Sequence, residues 1–289
     1  MASNSTSVVK AFFDLNTYTV TYVVADPSSM ACAIIDPVLD YDPASGRTST
    51  KSADQIIAYI IENAYQCQWI VETHVHADHL SAAPYLKQEI GGKTGIGNKV
   101  PLIQNTFANI FNAEKSFATD GRQFDHLFND NETFKIGNIE ATILHTPGHT
   151  PACVTYLIDG ACFIGDTMFM PDYGTARCDF PGGDAGELYN SIQRILSLPD
   201  QTILYMCHDY APGGREYQWV TSVGQQKEDN IHLAGKSRDQ YIKARTERDA
   251  ELSMPKLILP SVQVNMRAGE FPPADDNGTS YLKIPLNAL

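Results

Sequence analysis

The sequence predicts an α+β protein built as an αββα four-layer sandwich, with a site along one edge. Two observations carry this. Strand-like runs fall into two groups, each accompanied by helix-like segments, and in both groups strands end on short turns holding acids and histidines. Loops leaving the ends of two packed sheets can converge on one point, so the pattern places a shared site at the sandwich edge.

The run Tyr18 to Val24 and the run Ala31 to Asp36 are rich in β-branched residues and flank a Pro-Ser-Ser turn, which predicts a hairpin. A polar Gly- and Ser-containing stretch from Leu39 to Ser52 reads as a connection. Residues 53–62 repeat apolar side chains at helical spacing, so a helix with one buried face is expected there. The strand 68–72 runs into His74-Val75-His76-Ala77-Asp78-His79, and a helix is expected over 82–90. Gly91-Gly-Lys-Thr94 lacks the upstream glycine of a phosphate loop and reads as a helix-ending turn. The stretch to about Asn131 is less regular, with a helix expected over 102–112. Strand signals resume at 133–136, 139–145, 154–158 and 161–164, followed by a helix over 187–198 and a strand over 202–207 that ends on His208. Helical segments near 223–230 and 238–252 are expected to cover one side of the site. No linker marks a second folding unit, so residues 1–289 read as one domain.

With 289 residues, 43% hydrophobic and 19% charged, the chain can bury a substantial core. Its 21 Lys+Arg against 34 Asp+Glu give a formal charge of -13, which repels nucleic acid and anionic membrane surfaces. Cys32, Cys67, Cys153, Cys162, Cys178 and Cys207 are scattered without a C-x-x-C pair, as expected of a reducing compartment. The N-terminal residues lack signal-peptide and transit-sequence features and no apolar run reaches spanning length, so a cytoplasmic location and no membrane association are expected.

A lone histidine is more often a hydrogen-bonded structural residue than a ligand. Here His74, His76, His79, His149 and His208, with Asp78 and Asp166, all occupy turns directly after strands. Three histidines and an aspartate within six residues are costly to bury without a cation, so the cluster points to metal. His126 and His232 have no partner pattern.

The ordered set His74-x-His76-x-Asp78-His79, Thr146-Pro147-Gly148-His149-Thr150, Gly165-Asp166 and His208 resembles the metallo-β-lactamase superfamily over most of the chain. That resemblance implies the αββα fold but leaves the reaction open. Arg177-Cys178-Asp179-Phe180, His208-Asp209-Tyr210 and Asn265-Met266-Arg267 further resemble the persulfide dioxygenase family, a relative of glyoxalase II. The sequence departs from that family at Cys178, where Thr is usual, in the longer segment 98–126, and in an insertion around 40–50.

The resemblance implies that His74, His149 and Asp166 hold one Fe(II) per chain, which leaves positions for substrate sulfur and dioxygen. His76, Asp78, His79 and His208 then form the surrounding shell. The implied substrates are glutathione persulfide and O2, giving sulfite and thiol. For the glutathione, Arg177 and Arg267 are candidates to pair with carboxylates, Asp209 to face the ammonium, Asn265 to bond amide groups, and Tyr210 to steady the reacting sulfur. The alternative is a glyoxalase II-type thioester hydrolase with two Zn. His74, His76 and His149 would hold one ion, Asp78, His79 and His208 the other, with Asp166 bridging. The persulfide reading leaves room for a homodimer and for a separate rhodanese-type supplier of persulfide.

Overall fold

Strand β2 (Thr19–Asp26) is buried along its whole length, and its side chains alternate between two cores. Val20, Tyr22 and Val24 enter one apolar cluster, whereas Val23 and Ala25 enter another. A strand with this pattern must be covered on both faces, by a second sheet on one side and helices on the other. The computed structural model describes residues 7–288. Residues 1–6, on which most of the reading of the N-terminus rests, lie outside the described residues.

The first half runs β1 (Val8–Asp14), β2, β3 (Ala31–Ile35), β4 (Val38–Asp42), β5 (Arg47–Ser49), α1 (Lys51–Glu62), β6 (Gln66–Val71), β7 (Leu80–Ser81), α2 (Ala83–Ile90), β8 (Lys93–Gly97), α3 (Val100–Ile110) and β9 (His126–Phe128). The second half runs β10 (Thr133–Ile136), β11 (Ile139–His145), β12 (Val154–Ile158), β13 (Ala161–Phe163), α4 (Ala185–Leu196), β14 (Ile203–Tyr205), β15 (Val220–Ser222), α5 (Val223–Asp229), α6 (Arg238–Asp249) and α7 (Ile258–Asn265). One six-stranded sheet has the order β1-β2-β3-β6-β8-β9, and the other β10-β11-β12-β13-β14-β15.

The inter-sheet core joins Tyr22, Ile35, Phe128, Ile143, Tyr156 and Phe163. Outside the first sheet, Ile56 and Ile60 of α1 and Leu86 of α2 pack on Val23, Ile34 and Ile70. Outside the second, Leu188, Ile192 and Ile195 of α4 and Tyr241 of α6 pack on Cys162, Ile164 and Leu204. These are the four layers the sequence predicts. At the site edge the sheets are stitched together, because the Val20 amide donates to the Cys207 carbonyl at 2.7 Å and Thr19 bridges to His208.

The stretch 39–52, read as a connection, instead holds β4 and β5, which pair with β7 as a three-stranded sheet. It was hidden because Asp40, Asp42 and Arg47 interrupt any apolar alternation, and β5 is exposed throughout. Gly91 does follow α2 with φ 75°, but Lys93 and Thr94 already belong to β8. No helix among the described residues is long and apolar enough to cross a membrane.

Candidate metal centre

Three elements deliver the predicted ligand trio. His74 lies in the loop after β6, His149 in the turn between β11 and β12, and Asp166 beyond β13. All three are buried, and their ligand atoms lie within 4.8 Å of one another. The Asp166 Oδ2 is 3.6 Å from His149 Nε2 and 4.0 Å from His74 Nε2.

Hydrogen bonds fix both imidazoles in the ligating tautomer. The His149 Nδ1 donates to the Arg177 carbonyl at 2.7 Å. Thr73 Oγ1 donates to Asp36 Oδ2 at 2.8 Å and accepts from His74 Nδ1 at 3.0 Å. Each ring therefore turns an Nε2 lone pair toward Asp166. Burial, reinforced by neighbouring His76 and His149, holds His74 well below the ordinary imidazole pKa. The His74 Nε2 is buried and has no hydrogen-bond partner, an arrangement that costs free energy unless a cation satisfies it. Two neutral imidazoles and a carboxylate fit a divalent transition metal.

His76 points elsewhere. Its Nε2 lies 3.0 Å from Asp36 Oδ1 and 3.4 Å from Glu72 Oε2, all three residues being buried. Burial opposes charge on this ring, but Asp36 and then Glu72 outweigh it and raise its pKa well above the usual value. Burial likewise opposes ionisation of Asp36, yet His76 and Thr73 keep its carboxyl below the usual range. The buried Glu72 moves the other way, raised chiefly by burial, and accepts a bond from Ser81 Oγ.

Asp78, His79 and His208 are tied together through Thr19. The Thr19 hydroxyl lies 3.0 Å from Asp78 Oδ2 and 3.4 Å from the Nδ1 atoms of both His79 and His208. His208 Nδ1 also donates to the Tyr18 carbonyl at 3.2 Å, while its Nε2 sits 3.3 Å from Asp166 Oδ1 and 3.5 Å from Asp78 Oδ2. Among the described residues, His76, Asp78 and His79 also bring ligand atoms within 4.8 Å of one another, as do His76, Cys207 and His208. The buried His79 Nε2 has no hydrogen-bond partner, but no such grouping joins Asp78, His79 and His208.

A cleft of about 550 Å³ opens onto His149, Asp166 and His208. Phe169, Tyr173, Phe180 and Tyr210 give it aromatic walls, and Arg177, Arg245 and Arg248 also line it. Tyr210 stacks on His208 with ring centroids 5.8 Å apart. A second cavity of about 910 Å³, walled by β4 and β5, meets the first at Asp78 and Tyr210.

Of the proposed substrate contacts, Arg177 and Tyr210 line the cleft, but three others are engaged elsewhere. Arg267 forms a two-pronged ion pair with Glu114 at 2.7 and 2.9 Å, its guanidinium 4.2 Å from the Phe117 ring centroid. Asp209 is fully buried and held by Arg215, the Gln218 amide and the Ala211 amide, so it faces protein donors and not a ligand ammonium. Asn265 bonds to the backbone of the metal loop. Each of these three side chains has partners within the protein, a role that sequence pattern does not distinguish from substrate contact.

Sequence reading missed Thr19, Asp36 and Glu72. Asp36 did carry a signal, since it ends a strand just as Asp166 does. Thr19 carried none, because a threonine in a strand is ordinary.

An αββα sandwich with a His/His/Asp centre at the joined ends of its sheets defines a metal-dependent enzyme of the metallo-β-lactamase fold. A model of the Metallo-beta-lactamase superfamily matches residues 16–208, and the chain belongs to that superfamily. It is 54% identical over 292 residues to a probable metallo-hydrolase of Burkholderia pseudomallei, covering 97% of this chain and 99% of the relative. It is 51% identical over 284 residues to Glyoxylase B2 of Dictyostelium discoideum, covering 97% of each. The mitochondrial persulfide dioxygenase ETHE1 of Mus musculus is 26% identical over 277 residues, 94% of this chain and 93% of the relative. Among solved structures, ETHE1 from Myxococcus xanthus superposes with a TM-score of 0.73 and 28% identity, covering 91% of this chain and 100% of that one.

Proposed function

We propose that the chain is a glutathione-dependent persulfide dioxygenase working with a single iron(II). The reaction consumes RSSH, O2 and H2O and yields RSH, sulfite and two protons, with the outer sulfur oxidised and dioxygen reduced. The observation that carries the reading is the spacing of donors. His74, His149 and Asp166 form a metal-sized trio, whereas the other grouping in the cluster, His76, Asp78 and His79, leaves out His208 and shares His76 with the Asp36 and Glu72 carboxylates. Two imidazoles and one carboxylate fit a mononuclear oxygenase centre, which keeps positions open. The likeness to ETHE1 proteins in sequence and structure supports the same reading.

Bound there, iron would supply the redox coupling between sulfur and dioxygen. The chain's own residues bind and orient the persulfide. Burial, and then the charges of Asp166 and Asp78, push the Tyr210 phenol well above its usual pKa, so it stays a hydrogen-bond donor at neutral pH and can steady an anionic sulfur. Phe169 and Phe180 keep bulk water from the reacting atoms. Arg177 and Arg248 attract the carboxylate end of the ligand.

A two-zinc thioester hydrolase is the second reading, favoured by the names of the relatives at 54% and 51% identity and by the presence of every side chain such a site requires. Metal analysis with oxygen uptake separates the two. About one iron per chain and oxygen consumption with glutathione persulfide are expected. Two tightly held zinc ions, thioester cleavage and no oxygen uptake would overturn the iron reading.

A further inference from the structure

We infer that Asn265, the last residue of α7, is a positioning residue for the metal centre. Its side-chain amide supplies hydrogen bonds that the metal loop's own backbone lacks, so the loop keeps its shape before an ion arrives.

The loop needs such support. Among the described residues, no main-chain group of residues 74–79 bonds to another main-chain group. Buried carbonyls require donors, and here one side chain provides two of them. Asn265 Nδ2 donates to the His76 carbonyl at 2.9 Å and to the His79 carbonyl at 2.7 Å. Its Oδ1 accepts from the Ser81 amide at 2.8 Å, where the loop enters β7. The two amide hydrogens and the carbonyl oxygen are all used, and Asn265 is buried. Aspartate offers no such donors, and leucine neither donor nor acceptor.

The helix that carries Asn265 is itself anchored to the loop. Val75 and Ala77 share an apolar cluster with Ile258, Val262 and Met266 of the α7 region. Val75 and Ala77 thus face α7, while His74 turns to Asp166 and His76 to Asp36 and Glu72. From the far side, Gln104 of α3 donates to the Met266 carbonyl at 2.9 Å, and Glu114 holds Arg267. The long segment between β8 and β9 therefore braces α7, and α7 fixes the loop. The inference holds for iron or zinc, so failure of the iron reading would leave it standing.

The test compares Asn265→Asp and Asn265→Leu with Arg267→Met, which loosens the same region without touching the loop. Affinity for zinc(II) and for anaerobic iron(II) is read by chelator competition, alongside melting of the metal-free chain. The Asn265 variants are expected to bind both metals roughly 10- to 100-fold more weakly. Arg267→Met is expected to melt earlier yet bind within about threefold of wild type. Wild-type affinity in a folded Asn265 variant, or an equal loss in Arg267→Met, overturns the inference. Hydrogen exchange on the unaltered protein provides an arm that needs no variant to fold. The Ser81 amide should stay protected after the metal is stripped, and exchange at the unprotected rate would refute the proposed role.

Discussion

The Arg177 carbonyl accepts the Nδ1 hydrogen of His149 at 2.7 Å, while the guanidinium of the same residue lines the cleft. One residue thus serves the candidate metal ligand His149 through its main chain and the cleft through its side chain. Nε and Nη2 bond to Asp179 at 2.6 Å each, and Nη1 bonds to the Ser253 carbonyl at 2.7 Å. Of the five guanidinium N–H groups, two remain for a ligand. Arg177→Ala keeps the carbonyl that orients His149 but removes those donors and exposes the Asp179 charge to an anionic substrate. KM for glutathione persulfide should rise about tenfold, corresponding to about 1.4 kcal/mol, with metal content unchanged. Steady-state kinetics paired with metal analysis check this. A folded variant that loses its metal but keeps its KM would contradict it.

Gly148 explains why the turn before His149 needs glycine. Its φ is +137°, and a Cβ there would lie 2.3 Å from the main-chain N and Cα of Leu188 in α4. The Gly148 carbonyl also accepts the Asp184 amide at 2.9 Å, next to the α4 N-terminus. Gly148→Ala combines backbone strain with overpacking against an atom that cannot move without its helix, a cost of about 3 kcal/mol or more. The melting temperature should fall by at least several degrees, and the remaining folded protein should bind metal more weakly as His149 is displaced. An unchanged melt would show that α4 can retreat freely.

The segments around Gly148 and Arg177 were legible in the sequence through their resemblance to family motifs, Thr146-Pro147-Gly148-His149-Thr150 and Arg177-Cys178-Asp179-Phe180. The wider set of acids and histidines after strands was legible from position in the sequence, the selection of His74, His149 and Asp166 within it came from the resemblance, and the fold brings these three together. The hairpin of β2 and β3 followed from β-branched runs flanking a turn, and the four layers from two sheet-and-helix halves with acids and histidines at their strand ends. By contrast, β4 and β5 are short and polar, and β8 is glycine-rich, so their pairing comes from neighbouring strands more than from propensity. The roles of Asn265, Asp209 and Arg267 were illegible because a polar side chain near a motif can serve the ligand or the backbone. Only the positions of the Ser81 amide, Arg215 and Glu114 distinguish these roles.

His232 gives a pH dependence that lies apart from the metal ligands. Its Nδ1 accepts from the Thr175 amide at 3.0 Å, and burial, followed by the charges of Arg245, Lys236 and Arg248, lowers its pKa to about 4. Asp249 acts weakly in the opposite direction. The folded state therefore binds a proton less readily than the unfolded chain, whose histidine titrates near 6.5. The contribution to stability is full above about pH 6.5 and declines as pH falls toward 4, where the folded ring also protonates. In His232→Asn, the Oδ1 can replace Nδ1 as acceptor and does not titrate. The variant should lose less melting temperature than wild type between pH 7 and pH 4.5, as checked by thermal melts of the metal-free proteins. Parallel curves would refute the assignment.

Cys178 stands where the resembling family usually has threonine, beside an arginine in the cleft, which invites a reactive role. The structure assigns it a different one. Its amide donates to Asp249 Oδ2 at 2.9 Å and its Sγ donates to the same oxygen at 3.3 Å, while Arg245 pairs with Oδ1 at 2.6 Å. Burial, and then Asp249, push the thiol up to about 12, so the thiolate population at pH 8 is on the order of one in ten thousand. Iodoacetamide at pH 8 should spare Cys178 in the folded chain, as read by peptide mapping, and labelling as fast as in the denatured chain would sink this account. A threonine hydroxyl can make the same bond to Asp249, so Cys178→Thr should change stability by less than about 1 kcal/mol. Cys178→Ala removes a donor from the buried carboxylate and should cost more, about 1–2 kcal/mol. Equal melting temperatures for the two variants would show that the Sγ contact contributes packing alone.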